Sequence, residues 1–247
     1  MLSVSRPLKC PKWTAAPSFS GWQRSYATQS FLREYFVLVS DRRDADRKGI
    51  QKLDLVPPFC MFAGECLSPQ AAGQQPKIIG NAFAFLAQSV EGAKETMVSS
   101  IYNHQKVWDI SSMKIIPLVT VHSSNLGRMS TRGDAPANPH RKPERLVILP
   151  DRPNVLARRV AMRPYHSPNF VRLHNEGYVS WAGPVFEEHV DADISQRPFK
   201  GSVMVVNEKD WGGFVKTVQS DVYVKEKIWD LKRASFIPFR TLMRRVE

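Results

Sequence analysis

Gly201–Phe239 reads GSVMVVNEKDWGGFVKTVQSDVYVKEKIWDLKRASFIPF, and Gly80–Leu118 reads GNAFAFLAQSVEGAKETMVSSIYNHQKVWDISSMKIIPL. Laid against each other they run without a gap. Ten of the thirty-nine positions are identical, among them Gly80/Gly201, Gly92/Gly213, Ser99/Ser220, Tyr102/Tyr223, Lys106/Lys227, Trp108/Trp229 and Pro117/Pro238. Ordinary residue frequencies would give roughly two or three matches by chance. Ile101/Val222, Val107/Ile228 and Leu118/Phe239 keep their apolar character. The chain is therefore an internal repeat, and the fold follows from one unit counted twice.

Upstream, Phe59–Gly64 mirrors Tyr178–Gly183, each an aromatic-flanked run closing on Ala-Gly, and Glu34–Arg42 mirrors Glu144–Arg152. Between these landmarks the second copy is longer. Asp41 to Gly64 is 23 steps and Asp151 to Gly183 is 32, so the first copy lacks about nine residues of its opening helical region. Each copy is expected to run strand, helix, strand, strand, helix, strand: a ferredoxin-like βαββαβ unit. In the first copy these are Tyr35–Val39, a charged helix in Asp41–Leu53, Phe59–Gly64, Asn81–Gln88, a helix capped by Ser89 and running to Tyr102, and Ile110–Val119. In the second they are Arg145–Leu149, a helix near Ser167–Asn175, Tyr178–Ala182, Ser202–Val206, Asp210–Asp221 and Lys232–Pro238. A four-stranded sheet with helices on one face needs cover on the other. The expected fold is α+β, two tandem units packed sheet to sheet as an intramolecular dimeric α/β barrel, with no need for homodimerisation. The domains are placed at 34–119 and 144–240.

The 247 residues carry a formal net charge of +12. The opening 1–30 contains no acid, several basic residues and many Ser, the composition of a mitochondrial targeting leader. Removing residues 1–26 takes away four cations and no acid and leaves +8. Residues 120–143 form a linker rich in Pro, Ser and basic residues, and 241–247 a basic tail. No apolar run approaches the roughly 20 residues of a membrane span. Cys10, Cys60 and Cys66 match neither a disulfide framework nor zinc spacing and read as structural thiols. No phosphate loop, dinucleotide fingerprint or RNA-reading aromatic motif occurs, and neither cofactor nor metal is implied. His189 and Asp193 read as a solvated turn rather than as metal ligands. Trp108, Trp229, Tyr102 and Tyr223 recur at matching positions and read as core anchors or anchors of the interface between the copies.

The second copy carries Arg163-Pro164-Tyr165-His166, Leu173-His174-Asn175-Glu176-Gly177, Ala182-Gly183-Pro184, Phe199-Lys200-Gly201-Ser202, Asp221-Val222-Tyr223-Val224 and Pro238-Phe239. In that order they resemble the YciI-like (YCII-related) family over Glu144 to about Arg240, and the first copy joins only through the repeat. The resemblance implies a ferredoxin-like unit that pairs as a dimeric α/β barrel, with a His–Asp dyad whose histidine corresponds to His166. This chain has Asn175 where the family often has Asp, leaving Glu176 or Asp151 as substitutes.

Two functions stand side by side. The preferred one is a non-catalytic structural protein of a large assembly in the mitochondrial matrix, a ribosome component or assembly factor. It would contact rRNA and ribosomal proteins through Arg128, Arg132, Arg141, Lys142, Arg240, Arg244 and Arg245. The other is a small-molecule hydrolase or lyase with His166 as general base.

Overall fold

The computed structural model describes residues 32–48, 59–69, 75–123, 144–207 and 211–244. The leader 1–30, Asp210, Arg128, Arg132, Arg141, Lys142 and Arg245 lie outside the described residues.

The strands are β1 (Arg33–Asp41), β2 (Cys60–Leu67), β3 (Ile78–Ala87), β4 (Trp108–Pro117), β5 (His122–Ser123), β6 (Glu144–Pro150), β7 (Val179–Phe186), β8 (Phe199–Asn207) and β9 (Ser235–Arg244). The helices are α1 (Val90–Val98), α2 (Ile101–His104), α3 (Leu156–Asn175), α4 (Trp211–Ser220) and α5 (Val222–Lys225). Their pairing repeats the sequence repeat, register included. Leu38 faces Ala82 as Ile148 faces Val203, Phe36 faces Ile116 as Leu146 faces Ile237, and Gly64 faces Ala82 as Gly183 faces Val203. Register holds this firmly because a slip of one residue would turn every buried side chain to the wrong face. Lys106 and Lys227, one of the identical pairs, share a left-handed backbone at φ 58 and 53.

Among the described residues the strands form one antiparallel sheet in the order β4-β1-β3-β2-β9-β6-β8-β7-β5. The fold is thus α+β. The sheets of the two copies do not remain separate: β2 of the first pairs edge to edge with β9 of the second. At the far side the chain beyond β4 reaches β7, where Leu118 bridges Val185 and β5 adds to β7. The Ala-Gly ends of the repeat sit at these two seams. A Cβ on Gly64 would overlap the Phe239 ring and come within 2.9 Å of the Arg240 carbonyl oxygen, and one on Gly183 would overlap the Val119 carbonyl oxygen.

Arg33–Glu247 is one compact unit, with three apolar clusters. Two lie between sheet and helices, one in each copy, and contain Tyr102 with Trp108 and Tyr223 with Trp229. All four side chains are buried, so they anchor the cores under the helices. The third cluster joins the copies: Trp181 stacks on Phe62 with centroids 4.3 Å apart and planes 5° from parallel, beside Phe36 and Phe239.

Three expectations change. Asp41–Lys48 is not helical but turns, because Arg47 folds back to give Asp41 two hydrogen bonds at 2.7 and 2.6 Å; residues 49–53 lie outside the described residues. The helix expected near Ser167 begins at Leu156 and runs through Pro164 and Pro168. Buried Arg159, Phe170 and Leu173 hold it to the sheet against about 3 kcal/mol for an interior proline. The basic tail is strand up to Arg244, which faces Phe62 of β2.

Candidate active site

Residues three and four apart on a helix share a face, which places His166, Asn169 and Phe170 of α3 together above the sheet. Asp221 ends α4 and caps α5, its Oδ1 accepting the Tyr223 N–H at 2.8 Å. The same oxygen lies 2.9 Å from His166 Nδ1, and Oδ2 accepts from Asn169 Nδ2 at 3.3 Å. Asp221 has a side chain only 1% exposed, and that of His166 is 12% exposed. The carboxylate fixes the proton on Nδ1 and leaves Nε2 with its lone pair. The imidazole stacks on Tyr223 at 3.8 Å, with Trp229 edge-on at 5.1 Å and Phe170 at 4.5 Å. Burial holds its pKa below the ordinary histidine value, and the hydrogen bond and charge of Asp221 oppose that fall only in part. A neutral, oriented imidazole is what a general base requires.

Below it lies a second buried pair. Arg159 Nη1 donates to Asp151 Oδ1 at 2.5 Å and Nη2 donates to Ser202 Oγ at 2.9 Å, while the guanidinium lies over the Tyr223 ring at 4.9 Å. Burial pushes the Asp151 carboxyl up to about 6. His166, Arg159, Arg163, Ser202, Phe199 and Met204 border a pocket of about 260 Å³. Val121 and His122, from the segment read as linker, complete its rim.

The first copy keeps half of this. Arg47 pairs with Asp41 and lies over Tyr102 at 4.9 Å, as Arg159 does with Asp151 and Tyr223. The dyad is missing: the deletion removes the histidine, and the repeat puts Ser100 at the place of Asp221.

Sequence reasoning found His166 but looked for its partner in the wrong places. Asn175 is exposed at the end of α3, nine residues and about 13 Å along the helix from His166. Glu176 pairs with Arg172 at 2.7 Å, and Asp151 with Arg159. Asp221 stood within a quoted motif, and its replacement by Ser100 in the degenerate copy was the available signal. Of the basic residues assigned to a partner, Arg240 donates to buried Glu65 at 2.6 Å and Arg244 is itself buried, so both serve the fold. His189 Nε2 lies 2.8 Å from the Glu34 carbonyl oxygen, and Asp193 caps a short turn. Among the described residues no group of three or more His, Cys, Asp or Glu is placed to hold a metal ion, and no helix is long and apolar enough to cross a membrane.

No family model matches the chain. Aspercryptin biosynthesis cluster protein B of Emericella nidulans is 57% identical over 102 residues, 41% of this chain and 65% of that protein's length. Fusaric acid biosynthesis protein 2 of Gibberella moniliformis is 31% identical over 98 residues, 40% of this chain and 93% of that protein. The chain belongs to the family of fusaric acid biosynthesis protein 2. Membership overturns the expectation of a mitochondrial ribosome component bound to rRNA and ribosomal proteins: the relatives are named for the biosynthesis of small molecules. The match spans about two thirds of the aspercryptin protein's length. Among solved structures, a chlorite dismutase from Candidatus Nitrospira defluvii is 9% identical over 85% of this chain and 91% of its own, with a TM-score of 0.46. A 5-chloro-2-hydroxyhydroquinone dehydrochlorinase from Burkholderia phenoliruptrix is 18% identical over 39% of this chain and 90% of its own, with a TM-score of 0.32. At these scores neither likeness carries an argument about chemistry.

Proposed function

We propose that the protein is an enzyme of small-molecule biosynthesis in which His166, oriented by Asp221, acts as general base on a substrate held in the adjoining pocket. The observation that carries this reading is the 2.9 Å contact between His166 Nδ1 and a buried carboxylate at the wall of a cavity of about 260 Å³. Nε2 takes a proton from the bound molecule or from a water attacking it, and the Asp221 charge stabilises the imidazolium that forms. Stacking on Tyr223 keeps the ring in place through the transfer. The names of the relatives support a biosynthetic setting.

Within the same proposal the chain is a tandem YciI-like protein whose two copies close as an intramolecular barrel. The β2–β9 seam and the Leu118–Val185 bridge support the closure. Only the second copy is active. Import into mitochondria rests on the acid-free opening 1–30; a fluorescent fusion that stays outside mitochondria would refute it.

The test is a comparison of metabolites in the native host carrying wild type, a deletion, His166→Ala or Asp221→Asn, with protein amounts matched by immunoblot. Both variants are expected to accumulate the precursor that the deletion accumulates. A wild-type profile from His166→Ala would overturn the reading.

A further inference from the structure

We propose that the end of the pocket beside Arg159, Ser202 and Trp229 binds the carboxylate of a small aromatic acid, one oxygen of which takes the place that the Asn81 side-chain oxygen holds in the first copy. The inference deepens the pocket reading above and rests on it.

In the first copy every donor at this point is satisfied. Asn81 Oδ1 accepts from Arg47 Nη2 at 2.7 Å and from the Trp108 indole N–H at 3.1 Å, and Asn81 Nδ2 donates to the Gly64 carbonyl at 3.2 Å. The amide thus receives a guanidinium and an indole at one oxygen. The repeat places Ser202 at the position of Asn81, a side chain shorter by two heavy atoms. Arg159 still reaches Ser202 Oγ, but the indole N–H of Trp229 has no acceptor, nor has Arg159 Nε a partner, among the described residues. Both side chains are deeply buried, Arg159 at 3% exposure and Trp229 at 1%. Buried donors are nearly always paired, and here one of the two belongs to Arg159, which lines the cavity with Ser202, and the other to Trp229, packed edge-on behind His166 and Tyr223 of that lining.

The lining points to an anion. It presents Arg159 and Arg163 and no Asp or Glu. Of the nearby carboxylates, Asp221 meets His166 and Asp151 meets Arg159 through Oδ1, while Asp151 Oδ2 has no hydrogen-bond partner among the described residues. Arg163 has no ion-pair partner among the described residues. A planar guanidinium suits a carboxylate better than a neutral carbonyl. Phe170, Phe199 and Met204 supply flat apolar walls for a ring.

Benzoate is the probe, followed by the indole N–H resonance of Trp229, assigned by its loss in Trp229→Phe, and by calorimetry. Wild type is expected to bind benzoate with a downfield shift of that resonance and to bind benzamide at least tenfold more weakly. Ser202→Asn restores the residue of the first copy; it should raise Tm, move the Trp229 indole downfield without ligand and weaken benzoate at least tenfold. Arg163→Gln, a half-buried change outside the core, should weaken benzoate about tenfold at unchanged Tm. No benzoate binding, equal binding of benzamide, or full affinity in Ser202→Asn overturns the proposal. Binding is read without turnover, so a failed subsite leaves the His166 assay standing. A metabolically silent His166→Ala likewise leaves the benzoate result legible.

Discussion

Tyr223 lies flat against the imidazole of His166, ring centroids 3.8 Å apart and planes 8° from parallel, while its own N–H holds the same Asp221 oxygen that meets His166 Nδ1. One residue therefore holds the imidazole through its ring and the carboxylate through its backbone.

The protonation of His166 follows from these contacts. Burial lowers its pKa and Asp221 raises it, with burial the larger cause, so NMR titration of its ring protons should give a midpoint below the ordinary histidine value of about 6.5. Asp221→Asn removes the opposing charge and should move the midpoint lower still. Because the folded state prefers the neutral ring, its contribution to stability is full above the unfolded pKa and is lost as pH falls through the folded one. His166→Phe should therefore flatten the decline of stability as pH falls below about 6.5 in urea unfolding. A midpoint above 6.5 in wild type would contradict the neutral base.

The Asp151–Arg159 pair is expected to be costly to break from one side. Arg159→Met leaves a buried carboxylate alone, and about 3–5 kcal/mol of stability should be lost. The double variant Asp151→Leu with Arg159→Met should lose less than the sum of the single changes, since no charge is then stranded. Urea midpoints of the four proteins measure this; additive losses would mean that the pair is not coupled.

The two copies explain how much was legible in the sequence. The order of strands along each copy followed from the repeat, because Gly80, Trp108, Pro117 and their partners mark fixed points of a pleated frame, whereas the edge-to-edge joining of β2 to β9 did not. His166 was legible as well, from its motif. Its partner was not: Asp221 is 55 residues away, and only packing of α3 against the start of α5 brings them together. Arg47 was misread for a related reason. A run of charges looks solvated in one dimension, yet the Arg47 side chain is only 16% exposed and paired with Asp41. Charge also misled the functional reading, because Arg240 and Arg244 look like a tail until β9 is seen to pair with β2.

The contact between Trp181 and Phe62 is the main apolar joint of the two copies. Trp181→Ala should cost about 3–5 kcal/mol, the usual range for a buried tryptophan. Trp181→Phe should recover most of it, because the stack survives on a smaller ring. Equilibrium unfolding should remain a single transition in wild type, since each copy has one edge paired to the other. Two separated transitions would show that the halves unfold independently.

The glycines at the seams give the sharpest test of a closed sheet. Gly64 meets Phe239 and the Arg240 backbone across β2–β9, and Gly183 meets the Val119 backbone across β7. Gly177 is the control: its φ is +74 but nothing lies within 4 Å of an added Cβ, so Gly177→Ala carries only backbone strain of about 1–2 kcal/mol. At Gly183 an added methyl group must push backbone, which cannot yield as a side chain can. Gly183→Ala should therefore destabilise more than Gly177→Ala, and Gly64→Ala should do so to the extent that Phe239 cannot turn aside. Hydrogen exchange separates the two mechanisms. Gly183→Ala should raise exchange at Val119 and Val121, whose N–H groups bond to Pro184 and Ala182, whereas Gly177→Ala should raise it near the end of α3. Unchanged protection at Val119 and Val121 in Gly183→Ala would mean that this side of the sheet is open in solution.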